Sequence, residues 1–125
     1  VNLIFQITDD DLKDPNVVKA VTDNNLNIKF FSRSHVPFNS IKTFRQLGMI
    51  GFTNKALQHY TNLQPTALEK VESIDVMRFL ENDFCIQGVL SSSPILGVDN
   101  PVDIIKAEKM MSDDKFICLY KNKYI

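Results

Sequence analysis

Pro65-Thr66-Ala67-Leu68-Glu69, running on through Glu72 and Ile74-Asp75 to Arg78, is the strongest local signal in the chain. A hydroxyl at Thr66 and a carboxylate three residues on form a capping box, each suited to a free backbone N–H at a helix start. Leu68, Val71, Ile74 and Met77 then recur at spacing three and Leu80 extends the stripe, so the pattern predicts one amphipathic helix. After it, residues 85–90 read as a strand that Ser91 to Ser93 and Pro94 bring to an end. Asn100-Pro101-Val102-Asp103 opens a second helix: a cap, a proline at the favoured first position and a carboxylate against the positive helix end. Ile104, Ala107 or Glu108, and Met111 give its inward face, and residues 116–120 read as a closing strand or a docked tail.

The first third reads as β. Residues 1–8 are an apolar run, Asp9-Asp10-Asp11 a solvated charge cluster, and Asp14-Pro15-Asn16 a turn. Residues 17–21 and 28–31 form a hairpin about Asp23-Asn24-Asn25, because asparagine tolerates the left-handed conformations such turns need. Residues 34–40 are loop, residues 45–52 a strand, and Asn54 caps a short helix over residues 55–60. This order predicts an α/β domain with helices packed on a sheet.

Length and composition bound the function. At 125 residues the chain is one domain. With 44% hydrophobic and 23% charged residues it is globular rather than a disordered tail. A net charge of −1 gives no electrostatic footprint for nucleic acid or an anionic membrane. No apolar run approaches the roughly 20 residues of a spanning helix, and there is no signal peptide, so the expectation is a cytoplasmic protein. Cys85 and Cys118 are too few for a disulfide scaffold or a closed zinc site, and their apolar neighbours predict buried, reduced thiols. The chain starts at Val1 directly in an apolar run, which reads as the start of a fragment.

Few residues stand out for chemistry. Asp99 lies between Gly97 and a helix start, where a carboxylate either holds a Mg²⁺ that meets a nucleotide phosphate or simply caps the helix. Glu72, Asp75 and Arg78 form either one side of a pocket or a solvated ion-pair ladder. Arg33 either grips a carboxylate or phosphate with its fork of donors or is a surface arginine at a strand end. Lys19, between Val18 and Ala20, points to the other face of its strand and reads as solvated. His35 and His59 have no partners at metal or triad spacing, and no phosphate-binding glycine motif occurs.

Four stretches in order make a further pattern: Asp14-Pro15-Asn16-Val17-Val18-Lys19; Phe30-Phe31-Ser32-Arg33 with Val36-Pro37; residues 65–78; and Gly97-Val98-Asp99-Asn100-Pro101-Val102-Asp103. Together they resemble the C-terminal half of the cytidylyltransferases that act on 3-deoxy-manno-octulosonate (Kdo), a group of CMP-sugar synthetases. The resemblance implies transfer of CMP from CTP to an acidic sugar with release of pyrophosphate. It implies a partial three-layer α/β fold of the nucleotide-diphospho-sugar transferase type. Residues 1–45 would form a β-rich dimerisation region and residues 46–125 the α/β portion of a homodimer.

By the same resemblance Asp99 and Lys19 are the catalytic residues, Asp99 matching the second Mg²⁺ ligand and Lys19 a lysine near the active site, while Ser32 and Arg33 match the sugar-acid pocket. Asp75 matches a pocket carboxylate, one carbon shorter than the usual glutamate, and Arg78 closes that stretch within the substrate-binding set. Three polar contacts differ: Gln46 replaces a histidine, Ile50 a tyrosine and Val76 a glutamine. The substrate therefore need not be Kdo, and a sialic-type sugar or a phosphonate is the alternative acceptor. The basic phosphate-binding segment, cytosine pocket and first Mg²⁺ aspartate of the family's N-terminal half are not among these residues. Little or no turnover is expected from them alone, and a non-catalytic interaction or dimerisation module of the same fold is the competing reading.

Overall fold

A computed structural model describes residues 1–39, 43–93, 95–98 and 100–120, with only the backbone of Cys118 and Tyr120. Contacts divide the chain into two compact units, Val1–Pro94 and Ile95–Ile125.

Five strands build the first unit: β1 (Asn2–Gln6), β2 (Lys19–Thr22), β3 (Asn27–Ser32), β4 (Phe44–Ile50) and β5 (Ile86–Leu90). They close into a barrel in the order β1-β4-β2-β3-β5. Only the closing pair is parallel, with Asn2 opposite Gly88 and Ile4 opposite Leu90. Strands from both sides of residue 45 thus share one sheet. The core gathers Ile4, Ala20, Ile28, Phe31, Phe44 and Ile86 from the strands with Ile74, Val76, Met77 and Phe79 from the helical segment. A Cβ at Gly88 would lie 2.7 Å from Ile4 Cδ1 and 3.0 Å from the Leu26 carbonyl, so the parallel seam needs a residue without one.

The predicted hairpin is present, with Lys19 opposite Ser32 and Ala20 opposite Phe31. Asp23 organises its turn. Its carboxylate accepts from the Asn25 and Asn27 N–H groups at 2.9 Å each and from the Asn27 side-chain amide at 3.0 Å, and it pairs with Lys29 at 3.1 Å. The Asn27 side-chain bond leads in holding its pKa down to about 2, against an ordinary 3.8. A depressed carboxylate stabilises the fold above its unfolded pKa and loses that contribution as pH falls through the folded value. Acid titration of the fold is therefore expected to lose one component between pH 3.8 and about 2. Asp23→Asn should remove it, and an unchanged acid profile in that variant would refute the assignment.

Several local expectations are corrected. Residues 9–11 are not a solvated cluster alone: Asp9–Lys13 is a helix, α1, whose Thr8 hydroxyl accepts from Asp11 N–H while the Asp11 carboxylate accepts from Thr8 N–H. Helix α2 (Asn54–Asn62) is capped by Thr53, not Asn54. The long helix after Thr66 is two short ones, α3 (Ala67–Glu72) and α4 (Met77–Glu81), because Ser73 adopts a left-handed conformation at φ 54°. The break turns Ile74, Val76 and Met77 into the core and leaves Leu68 and Val71 exposed. The Thr66 N–H donates to Glu69 as predicted, while the Leu68 and Glu69 N–H groups are taken by the Glu81 carboxylate. Cys85 is exposed rather than buried.

In the second unit, α5 (Pro101–Ser112) starts as predicted, with the Asp103 carboxylate accepting from Asn100 N–H at 3.0 Å. Residues 117–120 form a short helix, α6 (Ile117–Tyr120), not a closing strand. No helix among the described residues is long and apolar enough to cross a membrane.

Candidate functional site

Five of the predicted site residues fall into two groups in the first unit. Lys19, Ser32 and Arg33 form one, where the ends of β2 and β3 meet the end of α3. Lys19 is fully buried, which corrects its reading as solvated. Its Nζ donates to the Asp14, Val17 and Arg33 carbonyls at 2.6, 2.9 and 2.9 Å. All three ammonium protons are thereby spent on the backbone. Burial leads in pushing its pKa below 10.5, opposed by Asp14 and Asp11.

Glu72 organises the same group. Its carboxylate accepts from Ser32 Oγ at 3.0 and 3.1 Å and from Arg33 N–H at 3.0 Å. The guanidinium of Arg33 donates through Nε to the Glu72 carbonyl at 3.1 Å, and through its terminal nitrogens to the Pro15 and Ser73 carbonyls at 3.1 and 3.3 Å. Arg33 is thus a held arginine: three backbone carbonyls fix its plane, and the terminal nitrogens keep further N–H groups. The sequence groups Glu72 with Asp75 and Arg78 on one side of a helix and gives no sign of a link to β3. Its role escaped sequence reasoning because the bend at Ser73, on which it depends, carries no glycine or proline to mark it.

Asp75 and Arg78 form the second group. Asp75 is exposed and accepts from the Tyr60 hydroxyl at 3.3 Å. Arg78 makes a two-pronged ion pair with Glu69, donates to the Leu63 carbonyl at 3.3 Å and lies 4.6 Å over the Tyr60 ring. The arginine bond holds the Glu69 carboxyl below its usual range, and burial, with Asp75 next, pushes the Tyr60 phenol up. The expected ladder is therefore dispersed: Glu72 faces β3, Asp75 faces Tyr60, and Arg78 faces Glu69. Gln46 is half-buried on β4, its N–H donating to Val18. Asp99 lies outside the described residues, and no group of three or more His, Cys, Asp or Glu able to hold a metal stands together among the described residues.

Glu72→Gln should cost about 1–3 kcal/mol, because a neutral amide must face two donors that now share a carboxylate. A urea midpoint unchanged from the parent would show that the bracing carries no energy.

Structural comparison places this α/β unit in the CMP-sugar synthetase fold. A CMP:2-keto-3-deoxy-manno-octonic acid synthetase, solved in complex with CTP, superposes with a TM-score of 0.79 at 23% identity, over 89% of this chain and 48% of that one. The sequence then specifies the relatives: the chain is a homologue of the 3-deoxy-manno-octulosonate cytidylyltransferases over the part of them that it spans. It is 38% identical to that of Chlorobium limicola over 117 residues, 87% of this chain and 47% of the relative. With that of Leptospira biflexa it shares 40% over 98 residues, 76% of this chain and 40% of the relative. An 8-amino-3,8-dideoxy-manno-octulosonate cytidylyltransferase of a Shewanella species shares 37% over 106 residues, 82% and 43% of the two chains. The chain spans less than half the length of these curated relatives. No protein-family model matches it.

Proposed function

We propose that the chain is the acceptor-binding part of a cytidylyltransferase that moves CMP from CTP to an acidic sugar or a related acid. The acceptor hydroxyl attacks the α-phosphorus and pyrophosphate leaves. The observation that carries this reading is the 38% identity with a Kdo cytidylyltransferase across 87% of the chain. The braced Ser32-Arg33 strand end supports it, since a fixed guanidinium face suits a carboxylate. We extend the reading to a cytoplasmic homodimer with a three-layer α/β fold, in which residues 1–45 supply the dimer region. Lys19 and Glu72 serve as positioning residues for Arg33, and Gln46, Asp75 and Arg78 border the acceptor.

The resemblance implies Mg²⁺ with Asp99 as a ligand. The described carboxylates do not assemble a magnesium site by themselves: Asp11 pairs with Arg45, Glu69 with Arg78, and Glu72 with Ser32 and Arg33.

The test is pyrophosphate release from CTP by this chain combined with the remaining half of the Chlorobium relative. The acids offered are Kdo, its 8-amino analogue, a sialic acid and an alkyl phosphonate. Release that needs both polypeptides and one of the acids is expected, and Asp99→Ala should lower it about a hundredfold. No release with any acid would leave a non-catalytic module of the same fold, and a loss below about twofold in the variant would remove Asp99 from the mechanism.

A further inference from the structure

A cavity of about 440 Å³ opens in the first unit, away from the carbonyl-bound lysine. Ile50 lines it from the end of β4 and Phe52 from two residues beyond, Ala56 from α2, and Val76, Phe79 and Phe84 from the α4 segment. Phe79 is locked in an aromatic cluster, with ring centroids 5.2 Å from Tyr60, 5.3 Å from Phe84 and 5.8 Å from Phe52. Among the described residues no acidic or basic side chain lines the cavity, and the polar side chains on it are Asn2, Thr53 and Cys85. The Asn2 amide protons are already given to the Leu47 and Met49 carbonyls, at 3.3 and 3.1 Å, which leaves its buried Oδ1 as an acceptor without a partner. A polyhydroxylated body entering here would shed its water with few groups to replace it, whereas a ring or alkyl chain sheds nothing it needs. The segment that forms this wall also carries the residues next to Arg33: Ser73 accepts from the guanidinium, and Val76 follows three residues later.

We propose that this cavity receives the non-ionised body of the acceptor, and that this body is apolar: an oxygen-poor, ring- or alkyl-bearing acid rather than a polyhydroxylated sugar. The word acceptor rests on the function proposed above; the cavity's preference does not.

Cys85 lies on the lining with its residue exposed, so its alkylation by iodoacetamide reports occupancy, the thiolate displacing iodide. Alkylation of the Cys85 peptide is followed by mass spectrometry at equal millimolar concentrations of cyclohexanemethanol, cyclohexanecarboxylate or Kdo. Both cyclohexyl probes should slow it at least about fivefold while Kdo leaves it within about 1.5-fold. Ala56→Phe, which fills the cavity from a half-buried helix position, should abolish the protection relative to its own baseline; Ile50→Gln should weaken it if the first variant does not fold. Protection by Kdo equal to that of the cyclohexyl probes, or protection by none, overturns the proposal. Protection by the alcohol but not the carboxylate overturns the acceptor assignment. None of these readouts uses CTP, so failure of CMP transfer leaves them standing.

Discussion

Lys19→Met lowers the stability of the first unit by about 3–5 kcal/mol, the range for removing one partner from a buried charged network. The lysine is fully buried and its ammonium bridges the Asp14, Val17 and Arg33 carbonyls. Methionine keeps much of the volume, so the loss measures the Val17 and Arg33 carbonyls deprived of this donor, and the Asp14 carbonyl left with the Val17 N–H, rather than a void. Urea unfolding at an unchanged slope is the measurement. A loss below about 1 kcal/mol would mean that water replaces the ammonium without penalty. The substitution should also change the alkaline limb. Burial lowers the folded-state pKa of Lys19 below 10.5, so the unfolded chain binds more protons between the two values. Stability attributable to this group therefore rises with pH through that window, as the cost of burying the charge is relieved. The Met variant lacks that rise.

Phe79→Ala should cost a similar amount, about 3–5 kcal/mol, because a core phenylalanine is replaced by a void that its neighbours fill only in part. Its ring contacts Phe52, Tyr60 and Phe84, and its residue is 6% exposed. The same ring is a wall of the apolar cavity, so the variant joins two losses: a lower thermal midpoint and weaker protection of Cys85 by cyclohexyl probes. Phe84, half-buried at the edge of the cluster, should cost less when truncated. Equal midpoints for the Phe79 variant and its parent would show that the aromatic cluster is not a unit.

The sequence made local structure readable where the determinants are close together. The hairpin follows from Asp23-Asn24-Asn25 and its flanking apolar runs, and α5 from Asn100-Pro101 with Asp103. Helix α1 was also written in local terms, Thr8 three residues before Asp11, yet three adjacent aspartates read first as solvated charge. Nothing local announces the parallel seam between Asn2 and Gly88, because its partners are 86 residues apart. Nor does periodicity reveal the bend at Ser73, since the spacing of Leu68, Val71, Ile74 and Met77 suits an unbroken helix. That bend is what aims Glu72 at Ser32, so the bracing of the site was hidden with it. Lys19 was misplaced for the reverse reason: residue type predicted water, and the surrounding carbonyls supplied an alternative that only tertiary structure creates.

Because β5 returns to β1, each of the five strands has a strand neighbour on both sides over part of its length among the described residues. Extension of the sheet into a second copy would have to start at the stretches paired on one side only, such as the last residues of β3 and of β4. Substitutions that probe pairing through the first unit therefore belong on outward-pointing positions and, as backbone-capping prolines, on those single-sided stretches.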